Sequence, residues 1–232
     1  MRVCSCAGPR GVATSRRERL DQAGRLSGPR PAIRPVGGGG NLVTVILAIA
    51  NQNRGVGKTV TAANVSAGFA RAGRRTLAVD CDGQADLTRW LLGRADQDAA
   101  DLAAIVAGGA DPAAAVHPTH LVGLDVLPAT GRLAHMARAL AADPTGIARA
   151  LGRLRPGYDA MVLDLPPGLS RLTVAALAAA DGIVIPVPAS VVGLHGLGGF
   201  RDWAADLAEG EGVGLSARIQ EGDLEGALGD RL

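Results

Sequence analysis

The chain has 232 residues, 47% of them hydrophobic, 20% charged and 2% aromatic. That composition supplies enough Ala, Leu and Val for one globular core and excludes a wholly disordered chain. Its longest apolar runs, such as residues 43–50, fall well short of the ~20 residues that span a bilayer, so no membrane partner is expected.

Three cysteines, two of them at Cys4 and Cys6, cannot build a disulfide scaffold, and the plain reading is a reducing, cytoplasmic setting. The net charge of +2 is unevenly spread: residues 1–34 hold eight arginines against Glu18 and Asp21, which leaves 20 acids against 16 basic residues from 35 onward. Lys58 is the only lysine in the chain.

Residues 1–41 are rich in Arg, Gly, Pro and Ser and end in Gly37-Gly38-Gly39-Gly40, which predicts a disordered basic leader and linker. The string Ser15-Arg16-Arg17-Glu18-Arg19-Leu20 is like a twin-arginine export signal, but polar residues follow where an apolar stretch is required. From residue 42, short β-branched runs alternate with Ala- and Leu-rich helical stretches. Strands are expected at 43–50, 76–80, 124–127, 160–164 and 182–187. Helices are expected at 58–72, 84–93, 98–108, 131–141, 145–154, 170–179 and 195–208. This alternation predicts an α/β fold: a mostly parallel twisted sheet with helices on both faces. The expected domain runs over 42–207. Residues 208–232, with six acids against Arg218 and Arg231, are expected to be a weakly structured acidic remnant, with 212–219 the one candidate for a last edge strand.

The densest chemical signal is the first strand running into Asn51-Gln52-Asn53-Arg54-Gly55-Val56-Gly57-Lys58-Thr59-Val60 and then a helix. A strand that stops in a Gly-rich turn and enters a helix aims several backbone N–H groups into one concavity, at the positive end of the helix dipole. Gly55 and Gly57 let the backbone approach phosphates where a Cβ would collide. In this reading Lys58 reaches the β- and γ-phosphates of a nucleotide and Thr59 offers its hydroxyl to Mg2+. Gln52 stands where the general phosphate-loop pattern has its first glycine.

Acidic residues close two later strands: Asp80 and Asp82 in Val79-Asp80-Cys81-Asp82-Gly83-Gln84, and Asp164 in Leu163-Asp164-Leu165-Pro166-Pro167. Ligands of open α/β sheets lie beyond the carboxyl ends of the strands, so these acids are expected to converge on the loop. An acid after an apolar strand suits a water-mediated contact to Mg2+, and a second one nearby can position an attacking water.

These stretches resemble the ParA/MinD family of deviant Walker A P-loop ATPases, and within it the ParA partition ATPases. The resemblance is carried by 51–59, by 80–84, by Tyr158-Asp159 through Asp164 to Pro167, and by Ala180-Asp181 with the following Ile183-Val184-Ile185-Pro186-Val187; it covers about 44–207. It implies an ATP-dependent homodimer that sandwiches two nucleotides with Mg2+, binds DNA nonspecifically, is nucleoid-associated where it does so, and is stimulated by a ParB-like partner. Its role would be plasmid or chromosome partition, or cargo positioning. Carried over by motif, Lys58 holds phosphates and Thr59 ligates the metal. Asp82 orients the catalytic water, and Asp80 and Asp164 support the metal's water shell.

Two departures bear on that reading. The family's signature lysine, which reaches across the dimer, falls at Asn53, and the glycine after it falls at Arg54. An amide cannot neutralise phosphate charge, and an arginine's planar fork is no point charge, so ATP binding is a firmer expectation than turnover. The C-terminal segment, where the family recognises adenine and carries basic residues for DNA, is here short and acidic. Nonspecific DNA binding requires several basic contacts, which leaves the arginine-rich leader as their main source. The alternative readings are a nonhydrolysing, nucleotide-gated interaction protein and a degenerate ParA paralogue.

Minor signals are expected to be structural. His117 and His120 flank Pro118 in a loop, Cys81 is read as buried, and Trp90 and Trp203 are read as covering helix interfaces.

Overall fold

The computed structural model describes residues 44–94, 100–136, 140 and 143–188. The leader, the helix expected at 195–208, the strand expected at 212–219 and Trp203 lie outside the described residues. Among the described residues six strands form one sheet: β1 Val45–Ile49, β2 Thr76–Asp80, β3 His117–Pro118, β4 Leu124–Leu127, β5 Ala160–Asp164 and β6 Gly182–Val184. Their order is β3-β4-β2-β5-β1-β6, and every pairing is parallel except β3 with β4.

The strand pleat sends alternate residues to opposite faces, and each face acquires its own helices. Leu77 and Val79 of β2 and Met161 and Leu163 of β5 join a core with Ile147, Leu151, Leu172 and Leu177. These belong to α4 Gly146–Leu154 and α5 Arg171–Ala178, next to α3 Leu102–Val106. On the other face Ala78, Val162 and Val126 pack with Ala62, Ala70, Leu87 and Leu91 from α1 Lys58–Arg71 and α2 Asp86–Leu92. With both faces covered, β2 and β5 are buried at every residue, which is why they read as continuous apolar runs.

Several expected boundaries shift for local reasons. β6 ends at Val184 rather than at 187, because Pro186 and Pro188 have no N–H to extend a ladder. The α3 helix begins only after Asp101, whose side chain accepts from the Ala104 amide, and Gly108 at φ 75° follows its end. The helix expected at 131–141 starts as a 3-10 turn, Gly131–His135, where the Thr130 hydroxyl accepts from the Arg132 amide. β3 was expected to be loop; its two residues pair antiparallel with Val126 and Asp125.

Two of the minor readings divide. Cys81 is fully buried, as expected, whereas Trp90, expected to cover a helix interface, is 53% exposed on α2. Among the described residues no helix is long and apolar enough to cross a membrane.

Candidate functional site

β1 delivers the chain into the loop at Asn51, a buried amide that anchors it on two sides. Asn51 Oδ1 accepts from the Asn53 amide at 2.9 Å, and Asn51 Nδ2 donates to the Pro186 carbonyl at 2.9 Å. The Gly168 amide donates to the Gln52 carbonyl at 3.1 Å, so the loop leaving β5 braces the same turn. Gly55 and Gly57 both have positive φ, 72° and 89°, and α1 starts directly after Gly57. A Cβ built on either glycine meets no protein atom within 4 Å, so the cradle is open on that side.

Lys58 opens α1 but is only 8% exposed, and its Nζ donates to the Asn53 carbonyl at 2.7 Å. The ammonium is thereby folded back over the loop that it follows. Burial pulls its pKa below the ordinary lysine range, Asp164 and Asp82 push it back up, and Arg54 pulls it down. Arg54 is exposed at the outer rim of the loop.

The acids arrive by strand register. Asp80 and Asp164 are Cα partners in the β2–β5 pairing, and Asp164 is also the partner of Ile49, the last residue of β1 before the loop. Both side chains are buried, and their surroundings differ. Asp80 Oδ1 accepts from the Asp82 amide at 3.0 Å, and Oδ2 accepts from the amide and hydroxyl of Thr88 at 2.8 and 2.7 Å. Burial raises the Asp80 carboxyl to about 6 against these hydrogen bonds.

Neither carboxylate oxygen of Asp164 has a hydrogen bond of full geometry. Burial raises its pKa to about 7, with the Asp80 and Asp82 charges adding to the rise. The Thr59 hydroxyl and the Lys58 charge lie near enough to oppose it. A buried carboxyl with no firm partner suits a cation, and the lysine and helix N-terminus beside it suit an accompanying anion. Asp82 is half-buried, with Oδ1 accepting from the Gln84 amide at 2.9 Å.

Sequence reading placed Asn53, Arg54, Gly55, Val56, Gly57, Lys58, Thr59 and Val60 in one loop and helix start, and Asp80, Asp82 and Asp164 near it. The structure brings Lys58, Thr59, Asp82 and Asp164 within electrostatic reach of one another, while Val60 turns outward and is 48% exposed. It adds Asn51 and Thr88, which that reading left out. Asn51 carries a readable sign, an Asn two residues before a loop amide that requires an acceptor. Among the described residues no three His, Cys, Asp or Glu side chains gather as a metal cage, so a divalent ion here would need oxygens from Thr59 and from phosphate.

A loop of this kind, between the first strand and first helix of a doubly wound sheet, separates the P-loop nucleotide-binding proteins from other α/β folds, and this chain is of that class. Comparison with known proteins narrows the class. A family described as an AAA domain matches residues 44–209. Chromosome-partitioning ATPase Soj of Thermus thermophilus is 44% identical over 174 residues, 75% of this chain and 65% of its own length. Two solved structures share the fold. A McdA variant of Cyanothece in complex with ATP has a TM-score of 0.67 and 25% identity, over 71% of this chain and 64% of that one. The septum site-determining protein MinD of Pyrococcus horikoshii, complexed with Mg-ADP, has a TM-score of 0.58 and 27% identity, over 69% and 66%. The chain belongs to the ParA/MinD family of P-loop ATPases.

Proposed function

We propose that this chain binds Mg-ATP in the 51–60 loop and hydrolyses it slowly, as a ParA-like partition or cargo-positioning ATPase that pairs with a second copy in its ATP state. The observation that carries this reading is Asp164, buried at the end of β5 with both oxygens lacking a firm hydrogen bond beside Lys58 and Thr59. Mg-ATP, when bound, supplies the phosphoanhydride and the divalent charge that such a carboxylate demands. The loop amides and Lys58 hold phosphate oxygens, and Thr59 with Asp164 holds the magnesium side. Asp80, its oxygens already engaged, acts from behind as a fixed negative charge. Asp82 is the partly exposed acid that orients a water.

The likeness to partition proteins supports the cellular role, and the chain spans 65% of the length of the Thermus thermophilus relative. A ParB-like stimulating partner, and DNA held by the arginine-rich leader, belong to the same proposal. The second reading, a nucleotide-gated interaction protein without turnover, is favoured by one feature: Asn53 stands at the family's signature lysine, and Arg54 beside it is exposed.

Calorimetry with Mg-ATP on the wild type and on Lys58→Ala, each checked for fold by circular dichroism, tests the proposal. Binding by the wild type that is lost in the variant supports it. A folded wild type that takes up no Mg-ATP removes both readings together.

A further inference from the structure

Thr88 lies in α2, fully inside the protein at 1% exposed, eight residues past Asp80. A threonine gains little in a helix, and a buried one needs partners for its hydroxyl. Its Oγ1 has one proton to give, and the Ala129 amide 3.0 Å away can only donate. The hydroxyl therefore accepts from Ala129 and directs its proton to Asp80 Oδ2. That oxygen also receives the Thr88 amide, so one residue grips it twice.

The run continues beyond Ala129. The next residue, Thr130, donates through its hydroxyl to Asp101 Oδ2, and Asp101 is fully buried. Asp101 Oδ1 accepts from the Ala104 amide at 2.8 Å and so caps α3. Hydrogen bonds and one peptide step thus connect the end of β2, beside the phosphate loop, with the end of β4 and the start of α3.

We propose that Thr88 is a positioning residue for the nucleotide site: it fixes Asp80 and ties the 128–130 segment and the α3 cap to events there. The inference rests on the nucleotide reading above. Because Thr88 would act through Asp80, its loss weakens the metal-dependent part of nucleotide binding more than the part that survives chelation. Outer partners of this kind change metal affinity by about tenfold or more.

Hydrogen exchange of the full chain with and without Mg-ATP tests the assignment, on wild type, Thr88→Val, Thr88→Ala and Thr88→Ser. In the wild type and in Thr88→Ser, Mg-ATP slows exchange both in 51–60 and in 124–133. In Thr88→Val the first response remains and the second is lost, and half-maximal ATP binding requires about tenfold more Mg2+. Thr88→Ala gives the same pattern and serves where valine compromises the fold. A Val or Ala variant that keeps the 124–133 response and the wild-type Mg2+ requirement overturns the proposal, as does a serine variant no better than valine. A wild-type chain whose 51–60 segment ignores Mg-ATP overturns the nucleotide reading and this inference with it.

Discussion

Asp80 and Asp164 sit side by side as register partners in β2 and β5, yet Asp80 accepts three hydrogen bonds and Asp164 none of full geometry. Two equivalent strand ends have therefore been given opposite electrostatic tasks. One carboxylate is satisfied by the protein, and on the proposed function the other is left for the Mg-ATP that the loop binds.

The first prediction concerns pH. Burial holds the Asp164 carboxyl at about 7, against an ordinary 3.8. Between those values the folded chain keeps a proton that the unfolded chain has released, so nucleotide-free stability falls as pH rises through that window and levels off above it. Asp164→Asn removes the ionisation, and at pH 8 it gains on the order of 1–3 kcal/mol over wild type, with little gain near pH 4. Thermal melts from pH 4 to 8 without nucleotide check this. An unchanged pH slope in the variant would remove Asp164 as the source, and the variant is also expected to lose Mg2+-dependent ATP binding.

The second prediction separates Gly57, just before α1, from Gly68 inside it. Gly57 stands at φ 89° with no atom within 4 Å of an added Cβ, and Gly68, inside α1, is equally uncrowded and has no positive φ. Gly57→Ala strains the backbone at about 1–2 kcal/mol and places a methyl in the phosphate cradle, so nucleotide affinity falls with stability. Gly68→Ala improves helix propensity and stabilises by about 0.5–1 kcal/mol without touching affinity. Urea titrations paired with calorimetry distinguish the two; equal effects on binding would sink the argument.

How legible the fold was follows from the same physics. The bounds of β2 and β5 could be read directly, since strands covered on both faces read as apolar runs, and Asp80 and Asp164 mark their ends. A two-residue strand such as His117–Pro118 has no period to detect. An aromatic residue in a helix suggests burial, yet Trp90 on α2 is 53% exposed, which depends on how that helix packs. The phosphate loop was visible as a local string, whereas the grip of Thr88 on Asp80 spans eight residues and depends on how α2 docks. That Asp164 lacks a firm hydrogen bond is likewise a property of its surroundings and has no sequence signal.

The third prediction concerns Asn51, which bridges the loop to the segment after β6 through Asn53 and Pro186. Asn51→Ala leaves the half-buried Pro186 carbonyl and Asn53 amide without these partners, a loss of about 1–2 kcal/mol. Because the amide orders the loop, ATP affinity should fall further than stability alone explains. Denaturant unfolding and calorimetry on the variant measure the two losses. A variant of normal affinity would mean that the loop is held by Gly168 and the other backbone bonds alone.

The last prediction decides between turnover and binding alone. Among the described residues, the hydrogen bonds of Asn53 are from its backbone: its amide donates to Asn51 Oδ1 and its carbonyl accepts from Lys58 Nζ. Asn53→Lys therefore preserves the loop while placing a flexible cation at the position where the resemblance expects the lysine that crosses to a second copy. Charge-assisted contacts to developing phosphate charge commonly contribute about tenfold or more in rate, so steady-state phosphate release should rise by at least that factor. On the proposed pairing of two copies, the gain grows with protein concentration. Arg54→Ala, made in both backgrounds, shows whether the exposed guanidinium stands in for the missing lysine: it lowers ATP affinity in the wild type and has little effect beside Lys at 53. Unchanged phosphate release by Asn53→Lys at every concentration, with ATP binding intact, would count against the ATPase reading and leave the nonhydrolysing nucleotide-gated protein in its place.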